Sequence, residues 1–413
     1  MTKPRILVTF GTRPEAIKMA PVIHALKSRD TFETLVCVTA QHRELLDQVL
    51  NFFGIMPDFD LDLMEPNQPL DTLGARVLLE FGKVLEATKP DRVLVHGDTL
   101  TSMMASLACY LRHVPVGHVE AGLRSGDLYS PWPEEGNRKI TDTLADLHFA
   151  PTAAAAKVLR AESNSGGSVH VTGNTVIDAL LDARSLLAAR PALAPSISAL
   201  RAELHGRKVI AVTAHRRENF GQGMENIAAA LLEIAAQREV AIIYPLHPNP
   251  NVASIMREAL GEASNILLLP PLDYPDFVDL LNLADLILTD SGGVQEEAPS
   301  LGKPVLVLRE VTERPEGIAA GTAILVGTDC KRIVSTALRL LDDPSAYTAM
   351  ARAHNPYGDG QAAKYIVDIL EGIHLASTET PRVVTGVFSP LSRREAHKPR
   401  LKLPDQGRGT SLA

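Results

Sequence analysis

The chain has 413 residues, 45% of them apolar and 22% charged, a globular composition with enough length for two domains of ordinary size. Its formal net charge of −8 counts against a general nucleic-acid binder. The cysteines Cys37, Cys109 and Cys330 stand singly, without disulfide or metal-ligand spacing, which fits a reducing compartment.

The opening "MTKPRILVTFGTRPE" has an apolar run of only about six residues and no small-residue cleavage site, so it does not read as a signal peptide. No stretch reaches the roughly 18 apolar residues of a membrane span. A soluble, cytoplasmic protein is expected. Short β-branched runs then alternate with longer Ala/Leu-rich segments, the pattern of a parallel α/β sheet. Strands are predicted at Arg5–Phe10, Thr34–Ala40, Arg92–Gly97, Val114–Glu120, Leu147–Pro151 and Val169–Gly173, with helices such as Glu15–Arg29 and Leu70–Thr88 between them. The pattern resets after the Ala- and Pro-rich stretch Ala188–Pro195. Further strands are predicted at Lys208–Ala214, Val240–Leu246, Asn265–Pro270, Asp285–Asp290 and Pro304–Leu308. The expected architecture is α/β, with two doubly wound Rossmann-like domains, 1–173 and 174–360, facing across a cleft. A closing helix within 361–375 returns to the first domain, and a Pro- and Arg-rich tail, 376–413, is expected to be disordered.

Ligands of open parallel sheets sit beyond the carboxyl ends of the strands, so chemistry-bearing residues are sought there. "FGTRPEAIKMAP" follows the first strand and sets Arg13 and Lys18 near a helix N-terminus. It is not a GxGxxG fingerprint. "HGDTLTS" supplies Asp98, "HVEAGLRS" supplies Glu120, and "SPWPEEGNRKITD" supplies Glu134, with Arg138 four residues on and on the same helix face. Each acid has a structural alternative: Asp98 as an N-cap, Glu134 and Glu135 as partners of a helix dipole. Carboxylates at successive sheet ends also suit proton transfer to and from a sugar carbon. In the second half "TAHRRENFG" offers His215 and arginines suited to a phosphate leaving group, or a structural histidine, and "YPLHPNP" places His247 after the next strand. No ligand spacing supports a metal site.

The stretch "LTDSGGVQEEAPSLGKPVLVL" combines an anion bed with acids. Ser291, Gly292 and Gly293 start a helix where backbone can approach an anion, and Glu297 lies one turn further along, where a carboxylate can accept two bonds from a diol. Pyrophosphate and ribose would satisfy both signals, with Arg314 adding a cation. A buried helix with incidental acids is the alternative.

Taken together and in order, "FGTRPEAIKMAP", "AQHRELLDQVL", "VHGDT", "GHVEAGLRS", "SPWPEEGNR", "HFAPT", "TGNTVIDAL", "TAHRRENFG", "LTDSGGVQEEAPSLGKPVLVLR", "TERPEG" and "NPYGDG" closely resemble the non-hydrolysing UDP-N-acetylglucosamine 2-epimerases of bacteria. The resemblance implies a GT-B-like fold and reversible inversion at C2 between UDP-GlcNAc and UDP-ManNAc, through elimination and readdition of UDP by way of a 2-acetamidoglucal. It also implies no cofactor and no metal, a homodimer, and supply of cell-surface polysaccharide synthesis. By the same resemblance Asp98, Glu120, Glu134, Arg138 and His215 are expected to be catalytic. Arg13, Lys18, Phe277, Ser291, Gly292, Gly293, Glu297 and Arg314 are expected to bind substrate. Gln41 and His42 match the neighbourhood of an allosteric UDP-GlcNAc site in some relatives, although Glu44 and Asn67 depart from the residues regulated relatives carry. A GT-B glycosyltransferase, a hydrolysing epimerase and a nucleotide-sugar sensor are the competing readings.

Overall fold

The computed structural model describes residues 3–39, 43–65, 68–162, 167–204 and 206–379. Gln41, His42, Asn67 and the tail beyond 379 lie outside the described residues. The first sheet contains β1 (Arg5–Phe10), β2 (Glu33–Val38), β3 (Phe59–Asp60), β4 (Arg92–His96), β5 (Val116–Val119), β6 (Leu147–Ala150) and β7 (Ser168–Val171), in the order β3-β2-β1-β4-β5-β6-β7. The second contains β8 (Lys208–Thr213), β9 (Val240–Pro245), β10 (Ile266–Leu269), β11 (Leu286–Thr289), β12 (Val305–Val307) and β13 (Ala323–Leu325), in the order β10-β9-β8-β11-β12-β13. All pairings within both sheets are parallel. The order reverses beside β1 and β4 in one sheet and beside β8 and β11 in the other, which opens a crevice at each switch point. Among the described residues no helix is long and apolar enough to cross a membrane.

Apolar runs such as Arg5–Phe10 and Lys208–Thr213 are strands because they are covered on both faces, so a continuous Val/Ile/Leu sequence is satisfied there. Two strands carry no such signal. β3 and β13 are two and three residues long, and each completes a sheet edge.

Helix Thr175–Ala189 starts where the chain leaves the first sheet. Asn174 caps it, its Oδ1 accepting from the Val176 N–H at 3.1 Å. Its apolar stripe, Ala179, Leu180, Ala183 and Leu187, joins the first lobe's core together with helix Arg13–Lys27 and with Ala363, Ile366, Val367 and Leu370 of the closing helix Ala362–Glu379. Burying each large apolar side chain contributes about 1.5–3 kcal/mol. Asp178 holds the start of the closing helix, accepting from the N–H groups of Ala362 and Ala363 at 3.2 and 2.9 Å. Tyr274 and Val278 of the second lobe's helix Tyr274–Leu283 reach into the same core, so the lobes share apolar packing beneath the cleft.

The loop that opens the cleft is set by Glu15. This buried carboxylate accepts from the N–H groups of Gly11 and Thr12 at 3.0 and 2.8 Å, and from the hydroxyls of Thr12, Thr99 and Ser102 at 2.8, 2.7 and 3.1 Å. It thereby ties the turn after β1 to the turn after β4. Burial raises its pKa against the pull of these bonds, led by that from Thr99. Removing the side chain orphans buried donors at roughly 1–3 kcal/mol each. Glu15→Ala is therefore expected to lower unfolding stability in urea by about 2–4 kcal/mol, and Glu15→Gln by less, because an amide oxygen still accepts. Equal stability of Glu15→Ala and wild type would contradict the clamp.

Candidate functional site

Neighbouring strands β1, β4 and β5 end side by side, and the residues after them meet. Lys18, one turn into helix Arg13–Lys27, forms an ion pair with Glu120. Arg138, on helix Glu134–Leu144, donates to the Glu120 carbonyl oxygen and to Asp98 Oδ2, and its Nη2 lies 3.6 Å from Glu120 Oε1. Asn137 Nδ2 donates to the Asp98 carbonyl at 2.9 Å. Thr99, not Asp98, caps helix Leu100–Tyr110: its hydroxyl accepts from the Ser102 N–H at 3.1 Å, which leaves the Asp98 carboxylate to Arg138. Burial would raise the pKa of Glu120, but Lys18, His96 and Arg138 together outweigh it, Lys18 foremost, and the carboxyl is held far below its usual range. His96 is buried beside this pair, its Nε2 3.8 Å from Glu120 Oε2. Burial, reinforced by Lys18 and Arg138 against the pull of Glu120, pushes His96 down to about 3, so it is neutral near pH 7. Glu134 opens its helix one turn before Arg138, and its Oε2 is buried without a hydrogen-bond partner among the described residues.

A second layer steadies these strand ends. His118, on β5, faces the Asp142 carboxylate through Nδ1 at 2.6 Å and the Gly97 carbonyl through Nε2 at 2.7 Å. Asp142 also meets Arg124 at 2.7 Å. Burial opposes ionisation of Asp142, yet His118 and Arg124 hold it at about 2.

The second lobe contributes a slot of about 250 Å³ after β8, β9 and β11, lined by His215, Leu246, His247, Phe277, Ser291 and Glu297 among others. The rings of His215 and His247 stack 5.3 Å apart at 15°. Asp290 positions the turn that carries His215, its Oδ2 accepting from the N–H groups of His215 and Arg216, both at 2.8 Å, and from Asn219 Nδ2 at 3.1 Å. Burial lowers the pKa of His215; Asp290 opposes this, while His247 and Arg216 add to it. Beside the slot, a Cβ placed on Gly292 would lie 3.8 Å from the Arg314 guanidinium and 3.9 Å from that of Arg216. One placed on Gly293 would come no nearer than 3.8 Å, to Glu297 Oε2. The protein leaves room for side chains at both glycines, so its own packing does not require them. A ligand flanked by two guanidinium groups would fill the space.

The two halves of the site are joined. Asn174 Nδ2 donates to Glu120 Oε2 at 3.1 Å and to Glu296 Oε2 at 2.7 Å, and Glu296 in turn pairs with Arg314. Burial and then the charge of Glu296 raise the pKa of Glu297 to about 8.

The structure thus brings Lys18, Asp98, Glu120 and Arg138 into one network, gathers His215, Phe277, Ser291 and Glu297 around one slot, and sets Gly292, Gly293 and Arg314 beside it. Arg13 stands apart from the network: burial lowers its pKa, opposed by Asp273 and Tyr274 of the second lobe. Sequence reasoning missed His96, Asn174 and Glu296. Asn before a helix signals a cap, which Asn174 also is, and nothing local signals that its amide joins two carboxylates. Among the described residues no group of three or more His, Cys, Asp or Glu side chains could hold a metal ion.

Known proteins resemble this chain over most of its length. The family model described as UDP-N-acetylglucosamine 2-epimerase matches residues 24–371. A UDP-N-acetylglucosamine 2-epimerase of Salmonella typhimurium is 54% identical over 374 residues, covering 90% of this chain and 100% of that protein. One from Yersinia pestis is 55% identical over 369 residues, covering 89% and 98%. The crystal structure of UDP-GlcNAc 2-epimerase from Neisseria meningitidis bound to UDP-GlcNAc matches with a TM-score of 0.76 at 48% identity, covering 89% of this chain and 100% of that one. The expected pair of doubly wound, GT-B-like domains is borne out.

The state of Glu297 makes stability depend on pH. Its folded pKa lies above its ordinary value, so between 4.5 and about 8 the folded chain keeps a proton that the unfolded chain has released. This contribution is complete below that window and lost as pH rises through it. Glu297→Gln imitates the protonated form. Wild type and variant are expected to melt alike near pH 4, with wild type falling progressively below the variant as pH rises through the window and melting several degrees lower near pH 9. A calorimetric difference that does not change with pH would contradict the assignment.

Proposed function

The chain belongs to the UDP-N-acetylglucosamine 2-epimerase family, and on that premise we propose that its cleft interconverts UDP-GlcNAc and UDP-ManNAc by eliminating and readding UDP. The observation that carries this reading is the link Glu120–Asn174–Glu296–Arg314, which sets a buried carboxylate of one lobe against the guanidinium pair of the other.

The C2 proton of a 2-acetamido sugar has no adjacent carbonyl, so direct removal is unfavourable. Heterolysis of the C1–O bond sends its electron pair to UDP and leaves an oxocarbenium-like C1, which acidifies C2–H. Loss of that proton to a carboxylate closes a C1=C2 bond, giving 2-acetamidoglucal and UDP. Return of a proton to the opposite face of C2, with the diphosphate oxygen rebonding to C1, inverts C2 and regenerates the nucleotide sugar. Arg216 and Arg314 suit the charge that develops on the departing diphosphate, and His215 stands next to them. The apolar slot between the stacked histidines and Phe277 suits a flat base. Glu297 suits the ribose diol.

Asp98, Glu120 and Glu134 are the proposed acid/base set. Their environments divide the work. Glu120, paired with Lys18 and close to Arg138, stays ionised, which suits support of positive charge at C1 or removal of a proton, not donation. Donation then falls to Asp98, about a third exposed, or to Glu134, whose buried Oε2 has no hydrogen-bond partner among the described residues. Lys18 and Arg138 orient the set. The resemblance further supports a homodimer, cytoplasmic, supplying cell-surface polysaccharide synthesis.

Incubation with UDP-GlcNAc in deuterated water, followed by proton NMR, tests the reading. The expected product is UDP-ManNAc carrying deuterium at C2, with no net release of UDP. Free ManNAc would indicate hydrolysis, and absence of exchange without an added acceptor would favour a transferase or a sensor. Asp98→Asn is expected to slow exchange by about 10²–10⁴-fold while UDP still binds. Exchange at the wild-type rate would remove Asp98 from the chemistry.

A further inference from the structure

We propose that Asn174 is a positioning residue that couples the two lobes, fixing the acid/base carboxylate of the first against the diphosphate cation of the second. The inference rests on the proposed function for its chemistry, and on geometry alone for the coupling.

Asn174 stands where the chain leaves the first sheet for helix Thr175–Ala189. The return crossing from the second lobe touches it there, because the Asn174 N–H donates to the Tyr357 carbonyl at 2.7 Å. The two segments pack back to back through glycine: a Cβ on Gly173 would lie 3.2 Å from the Gly358 Cα, and both residues have positive φ, 87° and 138°. Side chains there would hold the segments apart. The Asn174 side chain is buried and each of its polar atoms is engaged. Oδ1 caps helix Thr175–Ala189, and Nδ2 donates to Glu120 and Glu296. The return crossing also holds Glu296, whose carbonyl accepts from Asn355 Nδ2 at 2.9 Å.

The residue type follows from the partners. Two carboxylates from different lobes converge on one point, and only a donor can satisfy both. A neutral amide supplies two N–H groups without adding charge. Glu120 also faces Lys18, His96 and Arg138, and Glu296 faces Arg314, with Glu297 next to it in the chain. An ordered series, Lys18–Glu120–Asn174–Glu296–Arg314, therefore crosses the cleft. The reaction breaks bonds at two adjacent carbons, one served by each lobe. A small error in lobe register misplaces one set of groups relative to the other.

Asn174→Asp isolates this role. It keeps shape and the helix cap, since Asp caps as well as Asn, but replaces the shared donor with a third carboxylate. With protein that melts like wild type, deuterium exchange at C2 is expected to fall on the order of a hundredfold while UDP affinity measured by calorimetry changes little. The acidic limb of the pH–rate profile is expected to move up by about one unit, because a new like charge raises the pKa of its neighbours. Asn174→Ser, which also caps, is expected to lose exchange without moving that limb. Amide hydrogen exchange gives a readout free of activity: residues 173–176 and 355–361 are expected to exchange faster in both variants, with the sheets unchanged. If wild type fails to incorporate deuterium, the functional reading fails and amide exchange still decides the coupling. If wild type turns over and Asn174→Asp matches it in rate, pH limb and crossing protection, the coupling is overturned. Should Asn174→Asp fold poorly, Asn174→Ser carries the same decision, by rate and crossing protection.

Discussion

A carboxylate taken out of water must be repaid in cations and donors, and Glu120 sets that demand at the centre of this molecule. It is buried and carries a left-handed φ of 64°, a conformation that costs a non-glycine residue about 1–2 kcal/mol. Lys18, Arg138 and Asn174 meet the demand from three different elements: the sheet order that makes β1, β4 and β5 neighbours brings in the first two, and Asn174 reaches in from beyond the edge strand β7. The same contacts that neutralise Glu120 hold Asp98 through Arg138 and reach the other lobe through Asn174. Strained backbone of this kind persists only where the surroundings over-determine it, and the surroundings here are the proposed acid/base set.

The lobes differ in how they handle charge. The first is dense in ion pairs, which hold Glu120 and Asp142 ionised. The second keeps Glu297 protonated through burial beside Glu296, and keeps His215 below its ordinary pKa. A slot of low charge density suits a base and a ribose, whereas the guanidinium groups at its edge suit a diphosphate. One turn of helix separates the two environments, which is why glycines and acids stand so close in the sequence between Ser291 and Glu297.

Most of the architecture was legible in the sequence because parallel strands buried on both faces leave continuous apolar runs, as in Arg5–Phe10 and Lys208–Thr213. β3 and β13 were not, since two or three residues carry no period. The residues just beyond strands were legible by the sheet-end rule, and Lys18, Asp98, Glu120 and Arg138 do converge. Local chemistry misled where a residue has two roles. Asn174 reads as a cap, and Glu296 as one of two acids on a short helix, yet they bond each other across 122 positions of sequence. Helix Thr175–Ala189, assigned from strand spacing to the second domain, packs on the first because its apolar stripe matches helix Arg13–Lys27. Such pairings depend on tertiary proximity, which spacing does not encode.

The division of groups between lobes carries a mechanistic constraint. On the proposed reading, C1 loses its leaving group to cations of one lobe while C2 exchanges its proton with carboxylates of the other. If the lobes moved freely, the departing diphosphate and the acceptor of the proton would be positioned independently, and an oxocarbenium-like C1 would be open to water. Elimination without hydrolysis demands that proton removal keep pace with C1–O cleavage. That requires the two sets of groups to be held in one frame during the step, and apolar contacts alone, such as those of Tyr274 and Val278 beneath the cleft, fix distance better than orientation. Directional bonds fix orientation. The amide of Asn174, bonded to both carboxylates, supplies that orientation beside the segment by which the chain returns from the second lobe, and in doing so links the charge on Arg314 to the charge on Glu120.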